Sequence, residues 1–151
     1  MKKFFSLTIV SLTLVLATAG SLFADEYKVG DLTISDVWSR ASPSVAKAGA
    51  VYMTITNNGS EMEMVSGVSS PMAGKAMLHE TKMVDGVMKM EHAMHVMIKP
   101  GGTLKLAPGG FHVMLMKLTG ELTDGTVFPL TMEFKNSGTV VLQVNVKKSG
   151  S

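Results

Sequence analysis

The chain has 151 residues, with 14 Lys and Arg against 12 Asp and Glu; this suits one domain and excludes the basic imbalance of a nucleic-acid or anionic-membrane binder. Cysteine is absent, which excludes disulfides, a lipid-bearing cysteine, a catalytic thiolate and thiolate metal ligation within these residues. Methionine is abundant instead, at 14, and every one except Met1 lies at or beyond Met53.

In chain order, Lys2 and Lys3 come first, then an apolar run over residues 4–16 and small residues at Ala19 and Ala24. This is the pattern of a secretory signal peptide over residues 1–24, with cleavage after Ala24 preferred over Ala19 because Asp25 and Glu26 then open a polar mature chain. The apolar core is shorter than the ~20 residues of a membrane helix, so no stable membrane insertion is expected after cleavage. Lys2 and Lys3 leave with the leader, and cations and acids then balance. Residues 25–148 read as the single folded domain and 149–151 as a short tail.

That domain reads as all-β. Residues 52–56, 103–106, 127–134 and 139–146 alternate or are rich in β-branched residues. Between such runs stand Asn57-Asn58-Gly59, Pro100-Gly101-Gly102, Pro108-Gly109-Gly110, Asp124-Gly125 and Asn136-Ser137-Gly138 as turn signals. The spacing predicts a sandwich or barrel of seven to nine strands, with no sustained helical period, internal repeat or linker.

Asp85-Gly86, between Met83-Val84 and Val87-Met88, is a strong two-residue hairpin signal. A two-residue turn sets Val84 opposite Val87, Met83 opposite Met88, Thr81 opposite Met90 and His79 opposite His92. His79, Thr81, Met83, Met88, Met90 and His92 then share one face. His79 and Met90 become diagonal neighbours about 7–8 Å apart at the backbone, within reach of a common atom. The run FHVMLM at 111–116 puts His112 and Met114 on one face of a second ribbon. If the two ribbon faces come together, they form a pocket of two imidazoles and two thioethers.

Such a donor set selects Cu(I), a soft ion that tolerates low site charge. Zinc favours thiolate, carboxylate or more histidine, and calcium and magnesium require oxygens. A blue-copper electron-transfer centre needs a cysteine that this chain lacks. Met53, Met62, Met64, Met72, Met77 and Met132 read as packing residues. Met83, Met88, Met94, Met97 and Met116 read either as packing or as auxiliary copper contacts, and His92, which shares the hairpin face with Met90, as an outer contact or a surface residue; the sequence assigns His95 no role. No Ser-His-Asp set or paired carboxylates stand out, and no enzymatic activity is expected.

His79, Met90, His112 and Met114 spell H-x10-M-x21-H-x-M. This resembles the signature of the PCuAC periplasmic copper chaperones, in which these four positions ligate Cu(I). VWSRAS at 37–42, AGAVYMTITNNG at 48–59, HETKMVDGVMKM at 79–90 and PGGTLKLAPGGFHVMLM at 100–116 resemble family segments, as does the final pair of strands. Glu80 stands where the family often has a methionine, and the His/Met-rich tail of some members is missing. The resemblance implies a single-domain, cupredoxin-like Greek-key β-sandwich or barrel in the periplasm, a monomer holding one Cu(I) per chain. It also implies delivery of the ion to the copper-bearing subunit of cytochrome c oxidase, alongside a Sco-type protein. The alternative function is periplasmic copper buffering or resistance, in which the same ligands sequester Cu(I).

Overall fold

A computed structural model of the protein describes residues 26–148; the expected signal peptide at 1–24 and the tail at 149–151 lie outside the described residues. The alternation read from the sequence becomes strands: β1 (Tyr27–Val29), β2 (Leu32–Arg40), β3 (Ala48–Asn57), β4 (Glu63–Ser69), β5 (Ala73–Val84), β6 (Val87–His92), β7 (Val96–Ile98), β8 (Thr103–Leu106), β9 (Phe111–Leu118), β10 (Val127–Phe134) and β11 (Gly138–Lys147). Eleven strands among the described residues exceed the seven to nine expected. The surplus includes β1 and β7, which at three residues each are too short to leave an alternation in the sequence.

The strands run in the order β6-β5-β9-β8-β3-β2-β11-β10-β4-β7, with β1 added beside β2 and a second pairing between β9 and β3. Hairpin neighbours such as β5 and β6 or β10 and β11 alternate with non-consecutive ones such as β5 and β9 or β2 and β11, as a Greek-key arrangement requires. Pairing is antiparallel except between β11 and β2 and between β8 and β9, so the sheet is mixed. β4 lies alongside β5, which brings the two ends of this path together around one core. Val51, Met53 and Ile55 of β3, Val113 and Leu115 of β9, Leu130 and Met132 of β10 and Leu142 and Val144 of β11 are all at most 1% exposed. Each such side chain contributes about 1.5–3 kcal/mol relative to exposure. Because strand side chains alternate, Val113 and Leu115 facing the core send His112, Met114 and Met116 to the other face.

A bulge shapes that outer face. Between Ser35 and Trp38, β2 carries one more residue than its partner β3, and Asp36 within it has φ of 54°. The extra residue reverses the alternation. Leu32 and Ile34 point inward before it, Val37 and Ser39 after it, and Trp38 is delivered to the outer face.

Glu63 joins the ends of three strands. Its carboxylate, 4% exposed, accepts the backbone N–H groups of Met64 (2.8 Å), Asn136 (3.0 Å) and Ser137 (2.8 Å) and the Ser137 hydroxyl (2.7 Å). This ties the start of β4 to the β10–β11 turn. Burial pushes the carboxyl pKa up, but the hydrogen bonds from Ser137, Asn136 and Met64 outweigh it, and the net shift is downward. A depressed carboxylate pKa gives stability that is present above the unfolded value of about 4.3 and is lost as pH falls through the folded value. Glu63→Gln, which replaces one acceptor oxygen by a donor facing N–H groups, should cost about 1–3 kcal/mol in urea unfolding at pH 7. It should also flatten the acid loss of stability below about pH 4.3. An unchanged urea midpoint would show that the anchor is unimportant.

Candidate metal centre

Three neighbouring strands build the centre. Asp85 and Gly86 both take positive φ, 51° and 76°, the two-residue hairpin turn whose twist matches its strands. It fixes Val84 opposite Val87, Met83 opposite Met88, Thr81 opposite Met90 and His79 opposite His92, the register expected from the sequence. On the other flank of β5, His79 stands opposite His112 and Met77 opposite Met114. The expectation of two separate ribbons brought face to face is thereby corrected. β9 is hydrogen-bonded directly beside the hairpin, and the donors share one continuous sheet face.

Residues in register project to the same side. His92, His79 and His112 therefore form a row, with ring centroids 5.7 Å and 6.0 Å apart. Met90 and Met114 sit diagonally from His79, one toward the hairpin tip and the other toward the start of β5. His79 is thus the middle of a cross of donors. The row continues through Tyr52, 6.5 Å from His112, to Trp38, 4.7 Å from Tyr52, so five rings cross five strands. Sequence reasoning missed both aromatic residues. Met90, His112 and Met114 line an open cleft of about 480 Å³, which Tyr52, Thr81 and Pro108 help to enclose. His79 lies outside that lining.

The two central histidines differ in their partners. His112 is 4% exposed, and its Nδ1 lies 3.0 Å from the Gly110 carbonyl. A carbonyl can only accept, so Nδ1 donates to it and Nε2 is the ring nitrogen left to face an ion. The same carbonyl accepts the Thr81 N–H at 3.1 Å, locking the Pro108-Gly109-Gly110 turn to β5. His79 has no such partner among the described residues: both ring nitrogens are shut off from solvent and neither is hydrogen-bonded. A buried polar atom left this way costs about 1–3 kcal/mol, and an electrophile at the site would satisfy it. Burial, followed by the His112 and His92 rings, lowers the His79 pKa, so the ring is neutral and keeps a lone pair at neutral pH. Among the described residues, no three His, Asp or Glu side chains converge as a metal-holding group. An ion here would have to draw on the methionine sulfurs.

The packing assignments are mixed. Met53 and Met132 are core residues at 1% and 0% exposure, as expected, whereas Met62 is 45% exposed and is no core filler. Met83, Met88, Met90, Met94 and Met97 are also exposed, clustering on the hairpin and the segment that follows it.

A family model described as "Putative lipoprotein LpqE-like" matches residues 32–146. The protein named "Putative lipoprotein Lxx21020" from Leifsonia xyli subsp. xyli is 36% identical over 115 residues, 76% of this chain and 68% of that protein. The chain belongs to the LpqE-like family. Among solved structures, the copper-bound PCuAC domain from PmoF2 superimposes with a TM-score of 0.71 at 23% identity, over 82% of this chain and 98% of that domain. The Cu(I)-bound DR1885 of Deinococcus radiodurans gives 0.60 at 29% identity, over 88% and 87%. The LpqE-like chain thus has the PCuAC-type, cupredoxin-like fold expected of it. Although its relatives are named lipoproteins, these 151 residues contain no cysteine to carry a lipid.

The depressed His79 pKa has a signed consequence. Stability from the neutral ring is present above the unfolded value of about 6.5 and falls as pH drops toward the lower folded value, because the unfolded chain takes up the proton first. In the metal-free protein, NMR titration should place the His79 midpoint below about 6.5, and His79→Leu should remove part of the rise in Tm between pH 5 and 7. A midpoint above the ordinary histidine value would contradict the burial of its nitrogens.

Proposed function

We propose that this chain is an exported, envelope-associated Cu(I) carrier and not an enzyme. In this reading it holds one Cu(I) ion at the cross of His79, Met90, His112 and Met114 and delivers it in the periplasm to a copper centre of cytochrome c oxidase, alongside a Sco-type protein. The observation that carries the reading is the unpartnered imidazole of His79, neutral at physiological pH, with the His112 imidazole in register beside it and the Met90 and Met114 sulfur donors on its diagonals. Thioether and neutral imidazole favour a soft monovalent ion. The copper-bound PCuAC domain and Cu(I)-DR1885 support the metal, and the lipoprotein names of the relatives support export.

Burial grades the donors, which favours delivery over sequestration. His112 is 4% exposed whereas Met90 is 53% exposed, on a strand whose six residues are all exposed. A partner can reach Met90 first, and exchange of one thioether for another keeps the ion coordinated throughout. Histidines held by the sheet form the fixed half of the site and Met90 the mobile half.

Competition for Cu(I) against a chelator tests the ligand set. His79→Ala and His112→Ala should each weaken binding about 100-fold or more, near 2.7 kcal/mol, and Met90→Leu about tenfold, near 1.4 kcal/mol. Affinities that all match the parent protein would refute the site. Deletion of the gene should depress oxidase activity in a way that added copper restores; intact oxidase with copper sensitivity would select the buffering reading instead.

A further inference from the structure

His79 is paired in register with two histidines, His112 and His92, that line different clefts. The first holds Met90, His112 and Met114. The second, about 370 Å³, opens where β4 runs beside the part of β5 that β6 leaves unpaired, since β6 pairs with β5 from His79 onward. Its lining includes Met77, His92, Met94 and His95 against an apolar wall containing Val65 and Leu78. Among the described residues no carboxylate lines it, although Glu80 and Glu91 line a neighbouring cleft that His92 and His95 also border. Glu80, a β5 carboxylate, points to the other face and is tied to Lys82 at 2.8 Å.

The two clefts share a plan. His112 and His92 stand opposite His79 on its two neighbouring strands, and each lines one of them. Met114 and Met77, paired in register, likewise face one cleft each. We propose that the second cleft is a second Cu(I) site, built by His92, Met94 and His95 with Met77 behind them, from which the ion enters the first. This rests on the copper reading above.

The chemistry follows from the donors. Two imidazoles and two thioethers with no carboxylate make a site without formal charge, which suits a soft monovalent cation. Oxygen-seeking and divalent ions find too few hard donors, because no three His, Asp or Glu side chains converge among the described residues. His92 and Met94 are exposed, so this site meets solvent, whereas His79 and His112 are screened from it. The His92 ring lies 5.7 Å from that of His79. Passage between clefts is then ligand exchange: copper gains a bond to His79 as it loses one to His95 or Met94, stays Cu(I), and no electron or proton need move.

The test counts ions. Under anaerobic conditions, titration of the whole protein with Cu(I) against a chelator should show two equivalents, the second weaker. The double variant Met94→Leu/His95→Ala, altered where the chain is exposed, should lose one equivalent and keep the tighter affinity unchanged. With Ag(I) as a diamagnetic probe, the Met94 and Met77 methyl resonances should shift only during the second equivalent. A single equivalent in the parent protein, or two in the double variant, overturns the second site and leaves the first reading standing. No binding by the parent protein overturns both.

Discussion

The register of β5 against both of its neighbours is the constraint on which the rest depends. A slip of one residue on either side would turn every side chain of that strand to the wrong face. His79 would enter the core and Leu78 would enter the cleft. Two devices oppose the slip. On the β6 side, Asp85 and Gly86 accept the positive φ that a two-residue turn demands, so the hairpin has one register. On the β9 side the pairing of Leu78 with Val113, both at most 5% exposed, locks the ladder through the core. The donors are therefore positioned by aliphatic packing on the opposite face of the same strands.

Within this frame the energetics of the two histidines diverge. His112 is a satisfied residue, bonded to Gly110 and flanked by Tyr52, and it costs the apo fold little. His79 is unsatisfied, and a neutral, desolvated ring without a partner lowers the stability of the metal-free protein. Strain of this kind survives where the surrounding structure over-determines it. Here the strands on both flanks and the Glu63 anchor, which lies away from the cleft, supply the excess stability. An ion that filled the centre would relieve the cost and so would stabilise the loaded fold by mass action.

What the sequence disclosed follows from the range of each interaction. The hairpin was legible residue by residue, because a two-residue turn dictates its register locally, and the motif spacing then named the four candidate donors. The position of β9 was not: FHVMLM shows which of its side chains share a face but not which strand lies beside it, and a stacked pocket was the natural guess. Trp38 was hidden by the Asp36 bulge, which reverses the parity of β2 and carries no turn signature. Met62 illustrates the limit of composition, since an apolar residue near a strand gives no sign that its side chain stays in solvent. The second cleft was illegible for the same reason as β9, as it arises where β4 meets β5 across the fold.

The absence of cysteine ties these features together. A thiolate would bind copper harder and would bring zinc with it, and outside the reducing cytosol it would also be open to oxidation. Thioether and imidazole discriminate by softness instead of charge, which leaves the oxygen-seeking ions without ligands. The discrimination requires that no carboxylate intrude. The sheet meets that requirement by parity: on β5, Glu80 lies between His79 and Thr81 and so faces away, where Lys82 pairs with it. On β6, Glu91 pairs with Glu80 and so alternates away from the cleft of Met90, His112 and Met114. The alternation that buries the core on one face thus also sorts soft donors from hard ones on the two sides of the hairpin.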